Sequence, residues 1–326
     1  MTGSLSLLGK RRFLPLFATQ LLGAFNDNLF KNAMVLFVVY NVLDNERDET
    51  LFSGLASLIF ILPFFLLSAM AGQLADTRDK ARIIRIVKFC EILIMLVGAA
   101  GLLLAWQGIA VHLVAIPLLL LALFAMGVHS TFFGPIKYAI LPQHLAADEV
   151  LAGTGWVEAG TYIAILAGTI IAGVITVEVA AIMVIATAIV GYLTGRHVPP
   201  APPEADADTP PDWHIIRASG RLISATLHIR KLYLAIVSIS FFWTIGAVLF
   251  IQFPPLVKNV LTSDASVASL FLAIFSVGIA IGSVAINRLL KGEVSARYSP
   301  ASVIVMGLFV VAFYFVCRGW IDDNPG

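Results

Sequence analysis

Apolar runs of 18 to 28 residues recur along this chain with few charges inside them, and that recurrence excludes most folds. A bilayer core about 30 Å thick is crossed by about 20 residues of helix. Inside lipid every backbone N–H and C=O must be satisfied by the segment itself or by a closed barrel. The runs are too long and too rich in Gly, Ala and Leu for barrel strands. Composition agrees: 59% of the 326 residues are hydrophobic, 13% are charged and the mean hydropathy is +0.93. Soluble domains carry about 25% charged residues. The chain therefore reads as an all-α membrane protein.

Nine spans are expected, at 13–40, 51–75, 86–106, 110–133, 151–175, 177–195, 231–253, 266–290 and 300–317. Between the sixth and seventh lies VPPAPPEADADTPPDW, residues 198–213, whose prolines and acids read as a flexible linker. This divides the chain into a six-helix bundle at 1–195, a Pro/acid-rich linker at 196–230 and a partial bundle with three spans at 231–326. The first span is long, carries Asp27 and Lys31 and lacks a small-residue cleavage pattern, unlike a signal peptide.

Orientation follows from where the cations fall. With a cytoplasmic N-terminus, that side collects Lys10, Arg11, Arg12, Arg78, Lys80, Arg82, Arg85 and Lys137. The linker and its flanks add Arg196, Arg217, Arg221, Arg230 and Lys231, and the loop after span eight adds Arg288, Lys291 and Arg297. Only Arg47, Lys258 and Arg318 fall on the opposite face. Positive loops stay inside, so most of these charges set topology. A net charge of +1 gives no reason to expect nucleic acid. Two cysteines, Cys90 and Cys317, fall near opposite faces and form no disulfide framework. Six scattered histidines lack metal-binding spacing, and no phosphate-binding glycine loop is present, so neither metal nor cofactor nor enzymatic chemistry is expected.

A weak repeat links GQLADTRDKAR at 72–82 with NRLLKGEVSAR at 287–297. Paired halves of this kind are a common architecture of secondary transporters.

Polar residues within spans are costly, about 2.5–3.5 kcal/mol for a bare charge at the bilayer centre, and so point to function. Span one holds Asn26, Asp27, Asn28, Lys31 and Asn32 near its middle. Asp27 and Lys31 are four apart and share a helix face, which permits an ion pair. The group reads as a substrate or ion site; the plain alternative is a buried pair that fixes packing. Lys88 and Glu91 in span three are suited to pairing in a structural or gating role, with snorkelling of Lys88 as another option. Glu158 in span five needs a partner from another helix, Lys31 or Lys137, or else holds a proton or cation in a cavity. After span two, Gly72 and Leu74 suggest a packed turn in which Asp76, Arg78 and Lys80 form a conformational latch. In FFGPIKYAILP, Lys137 and Tyr138 suit the interface, where a cation meets a lipid phosphate. Gly160, Ala164, Ala167, Gly168 and Gly173 offer a small-residue face for close helix packing.

GQLADTRDKAR resembles the loop after span two of the major facilitator superfamily, with Gly72, Leu74, Ala75, Asp76 and Lys80 matching and Asp79 replacing the usual second glycine. FLPLFATQLLGAFNDNLFKNA together with FFGPIKYAILP resembles the lysophospholipid transporter branch, a domain also found fused ahead of acylglycerophosphoethanolamine acyltransferases. The resemblance runs from residue 13 to the end. It implies major-facilitator-type helical bundles with about nine transmembrane helices present of an expected twelve. It further implies alternating-access movement of lysophospholipid across the bacterial inner membrane toward the cytoplasmic face, and functional coupling to an acyltransferase. Under it, Asn26, Asp27, Asn28 and Lys31 would bind substrate, with phosphate on Lys31 and the headgroup amine near Asp27. Two other readings stand beside it: a major-facilitator exporter of a drug or metabolite, and a non-transporting scaffold for acyltransferase partners.

Overall fold

The computed structural model describes residues 6–203, 212, 214–289 and 297–323. Among them the ordered secondary structure is helical, with helices over all nine expected spans. The first six are α1 (Leu14–Asn41), α2 (Glu46–Thr77), α3 (Lys80–Trp106), α4 (Ile116–Ala139), α5 (Val150–Val174) and α6 (Val177–Gly195). After the linker come a shorter helix α7 (Ile215–Leu227), then α8 (Arg230–Asn259), α9 (Ala265–Leu289) and α10 (Ser299–Asp323). Length and hydropathy qualify seven of these regions as membrane-crossing: α2, α3, α4 with its preceding turn, α5, α6, α8 and α10. In α1 the polar run from Asn26 to Asn32 lowers the hydropathy, and α9 counts only as a shorter apolar stretch, Ala265–Ile279.

Local chemistry sets the helix ends. Pro15 lies in the first turn of α1, where its missing N–H costs nothing. The Asn45 side chain caps α2 by accepting from the Asp48 N–H at 2.8 Å. Glu46, Asp48 and Glu49 then load that first turn with acids, which favours the helix dipole. Span two was expected to begin at 51, but these charges belong to the helix and not to the loop. A left-handed Ala110, with φ of 45°, turns the chain into the π-turn Val111–Ala115 that leads into α4.

Lipid is as apolar as leucine, so helices associate there through close packing more than through the hydrophobic effect. Glycine makes the closest approaches possible. A Cβ on Gly168 of α5 would lie 2.7 Å from the Phe25 carbonyl oxygen of α1, and one on Gly127 of α4 would lie 2.4 Å from the Phe60 carbonyl oxygen of α2. The small-residue face of α5 thus packs as expected, with Gly160 against Phe17 and Gly173 against Ser269 of α9. The main core joins α1 through α6 around Phe30, Met34, Met95, Leu119 and Val184. Exposed large apolar residues such as Leu58, Phe65 and Ile182 face outward, as lipid contact requires.

The start of the expected linker is not free. Val198 and Ala201 are buried, and Lys80 N–H donates to the Ala201 carbonyl at 2.9 Å while Ala201 N–H donates to Asp79 Oδ2 at 3.2 Å. Gln143 Nε2 reaches the Pro202 carbonyl at 3.1 Å, so this strap runs from the start of α3 to the short helical turn Leu141–His144 that follows α4. Residues 204–211 and 213 of the expected linker, and 290–296 of the second repeat copy, lie outside the described residues.

α8 and α9 meet the first six mainly at one end, whereas α7 packs against α2. Leu36 of α1, Val257 of α8 and Ala268 of α9 form a buried apolar plug there. Ser269 Oγ donates to the Thr169 carbonyl at 2.5 Å, and Asn32 Nδ2 donates to Thr169 Oγ1 at 2.9 Å. At the opposite end, α8 is exposed from Arg230 to Thr244.

Candidate functional site

A cavity of about 230 Å³ opens between α1, α2, α5, α8 and α9. Lys31 and Asn28 enter it from α1, Ser57 and Phe60 from α2, Tyr162 from α5, Trp243 and Phe250 from α8, and Phe275 and Ser276 from α9. The Lys31 ammonium lies 5.6 Å from the Phe60 ring centre and 5.0 Å from that of Phe250. Ring faces attract a cation and substitute in part for water. A cation held this way keeps its hydrogen-bond donors available to an anion. Asn28 is less available, since its Nδ2 donates to the Ala24 carbonyl at 2.8 Å.

No ion pair joins Asp27 to Lys31 among the described residues, although four-residue spacing allowed one. The two side chains diverge. Asp27 Oδ2 accepts from the Ser130 hydroxyl of α4 at 2.5 Å, and its Oδ1 is buried with no hydrogen-bond partner among the described residues. Asp27, unlike Lys31, does not line the cavity.

Asn26 also leaves the cavity. Its Nδ2 donates to Glu91 Oε1 at 2.9 Å, and Glu91 Oε2 takes Lys88 Nζ at 2.5 Å. Both charged groups are buried, so Lys88 forms the expected pair and does not snorkel. Small residues make room for it, since a Cβ on Gly23 would lie 2.7 Å from Lys88 Nζ. His129 completes the group: its Nε2 lies 3.2 Å from Glu91 Oε2, and its Nδ1 is 3.3 Å from Ser130 Oγ. Asn26, Asp27, Lys88, Glu91, His129 and Ser130 thus tie α1, α3 and α4 together. His129 and Ser130 carry no sequence signal, being isolated polar residues whose partners are tens of residues away.

Among the described residues Glu158 forms an ion pair with neither lysine offered to it. It accepts from the Tyr138 hydroxyl, while Lys137 Nζ lies 5.0 Å from the Tyr138 ring centre. None of these three lines the cavity.

The loop after α2 also differs from expectation. Gly72 is inside the helix, not in a turn, because α2 runs on to Thr77. Asp76 is exposed, with no hydrogen-bond or ion-pair partner among the described residues. Arg78 is the extended residue ending α2, and Lys80 is buried. The carboxylate that acts is Asp79, whose Oδ1 caps α3 through the Arg82 N–H at 2.8 Å and whose Oδ2 holds the strap. A glycine there would provide neither bond.

Outside the spans, Lys10 and Arg12 both pair with Glu149 ahead of α5. The Lys10 hydrogen bond and the Ala146 N–H hold the Glu149 carboxyl below the ordinary carboxylate range. Asp212 is pulled down to about 2, chiefly by its bond to Arg217.

The family profile described as Major Facilitator Superfamily matches residues 7–324. The chain is 24% identical over 304 residues to a protein named lysophospholipid transporter LplT from Citrobacter koseri, covering 91% of this chain and 70% of that one. The corresponding protein of Photorhabdus laumondii is 25% identical over 304 residues, covering 90% of this chain and 70% of its own length. That of Salmonella heidelberg is 23% identical over 308 residues, covering 92% and 71%.

Proposed function

Because this chain belongs to the major facilitator superfamily, we propose that it moves lysophospholipid across the bacterial inner membrane toward the cytoplasmic face by alternating access. The observation that carries the substrate class is Lys31, a single ammonium between two aromatic rings in a cavity otherwise lined by apolar and weakly polar groups. A phosphodiester headgroup needs one such cation, and an acyl chain needs the apolar walls. The similarity to proteins named lysophospholipid transporters points the same way. With the N-terminus cytoplasmic, as the cation distribution favours, the plug of Leu36, Val257 and Ala268 faces outward and the exposed start of α8 faces the cytoplasm. In that orientation the chain stands open toward the side where an acyltransferase would take up the lipid. The 1–195 and 231–326 segments would be the two rocking units.

In this reading Lys31 receives the phosphate, Asn28 contacts the headgroup, and Asp27 acts through Ser130 rather than on the amine. Glu158, Lys137 and Tyr138 form a separate polar group that anchors α4 to α5 near the interface. The open cavity and the unpartnered Asp27 Oδ1 speak against a scaffold that transports nothing. The aromatic walls favour one second reading, an exporter of an amphipathic anion. Uptake of labelled lysophosphatidylethanolamine into vesicles containing the chain separates them. Protein-dependent uptake that falls tenfold or more in Lys31→Ala, and less in Lys31→Arg, supports the lipid reading. Uptake equal in the wild type and Lys31→Ala rejects it.

A further inference from the structure

We propose that Lys258, assisted by Asn259, is the latch that closes the cavity on the side of the α1–α2 turn. By position Lys258 counts only as one of three topology charges on its face, yet the fold gives it a different setting. Its Nζ lies 2.6 Å from the Val39 carbonyl, 2.7 Å from the Leu43 carbonyl and 2.5 Å from Glu49 Oε1. An ammonium has three donors, and all three are used. One acceptor, the Val39 carbonyl, lies in the last turn of α1, where the helix leaves carbonyls unpaired and the dipole favours a cation, and the Leu43 carbonyl lies just past the helix end. The third belongs to a carboxylate that is 1% exposed.

Glu49 depends on α8 for both oxygens, since Asn259 Nδ2 donates to Oε2 at 2.6 Å. One end of α8 therefore binds α1, α2 and the turn between them through four polar contacts. Just beneath them sits the apolar plug of Leu36, Val257 and Ala268, and beneath that the cavity. The arrangement suits a contact that must open. A buried carboxylate deprived of its partner is costly, but a carboxylate and an ammonium that part into water are both hydrated. An ion pair between hydrated groups contributes little, roughly 0–1 kcal/mol. The pair therefore holds while the cleft is dry and releases as water enters. The inference rests on the transport reading for its purpose, while its test does not use lipid.

The test is thiol labelling of a cavity residue from the α1–α2 side. Cys90 and Cys317 are changed to serine, Ser57→Cys is introduced, and a membrane-impermeant maleimide is applied to reconstituted chain from either side. Labelling from the linker side shows that position 57 is reachable. From the α1–α2 side, labelling should be slow in this background and at least tenfold faster with Lys258→Ala. Glu49→Ala should accelerate it similarly, Asn259→Ala more weakly, and the Glu49→Ala, Lys258→Ala double should label no faster than either single. Gel filtration as a single symmetric species confirms that each variant is folded, and Asn259→Ala keeps the test decisive if a charge variant is not. Unchanged labelling in the folded variants, or a double whose effect is the product of the singles, overturns the latch.

Discussion

Two lysine–glutamate pairs in this molecule are alike in chemistry and differ in what they join. Lys88 and Glu91 stand three residues apart on α3, both at 1% exposure or less, with Asn26, His129 and Ser130 around them from helices of the same bundle. Lys258 and Glu49 are separated by 209 residues, and the lysine side chain is 23% exposed. The first pair has no route to water unless the bundle comes apart. The second sits on a seam that can flood. Placement, more than the pair itself, decides whether a buried charge serves as a fixed joint or as a moving one.

The contrast breaks most readily at Lys88. Lys88→Ala leaves the Glu91 carboxylate buried without its cation, a loss of about 3–5 kcal/mol. Thermal unfolding in detergent should show a large drop in midpoint, whereas Lys258→Ala at the wetter seam should shift it much less. A double Lys88→Met, Glu91→Met variant should regain most of the stability, because removing both charges removes the desolvation problem. Equal shifts for Lys88→Ala and Lys258→Ala would erase the distinction.

Glycines sharpen it at the next level. An added methyl at Gly127→Ala meets the Phe60 backbone oxygen at 2.4 Å inside the bundle, where neither helix can yield cheaply. A loss of about 1–3 kcal/mol is expected there. Gly173→Ala meets the Ser269 side chain across the seam at 2.1 Å. It should part α5 from α9, seen as faster maleimide labelling from the α1–α2 side, with a smaller change in unfolding temperature.

The smallest effect belongs to the exposed cluster at Glu149. Its carboxyl is held below the ordinary carboxylate range, so the contribution exists above that range and is lost as pH falls through the depressed folded-state value. Glu149→Gln should lower the unfolding midpoint slightly at neutral pH and not in strong acid. A shift that persists in acid would assign the effect to packing.

Much of the fold is legible from hydropathy, because each span must satisfy its own backbone in lipid. The observed helices cover the expected spans and overrun several of them by a few residues, as at Glu46–Thr77 against 51–75. The errors have a common physical origin. Charge in a sequence looks like loop, but Glu49 is buried within α2 because α8 supplies its partners. Four-residue spacing allowed Asp27 and Lys31 to pair, yet Ser130 and two aromatic rings, all remote in sequence, compete successfully for them. Asp76 fits the superfamily pattern and has no hydrogen-bond or ion-pair partner among the described residues, whereas the departure at Asp79 makes the bonds. Aromatic residues that line the cavity, such as Phe60 and Phe250, read in sequence like those that face lipid.

The uneven grip on α8 has a mechanical consequence. Its 30 residues make a rod about 45 Å long, held from Gly246 onward and exposed over Arg230–Thr244. Those 15 leading residues are a lever arm of about 22 Å. A tilt of about 10° at the gripped end would carry the far tip through about 4 Å, so a displacement too small to unpack the fulcrum becomes a substantial change in aperture at the other face.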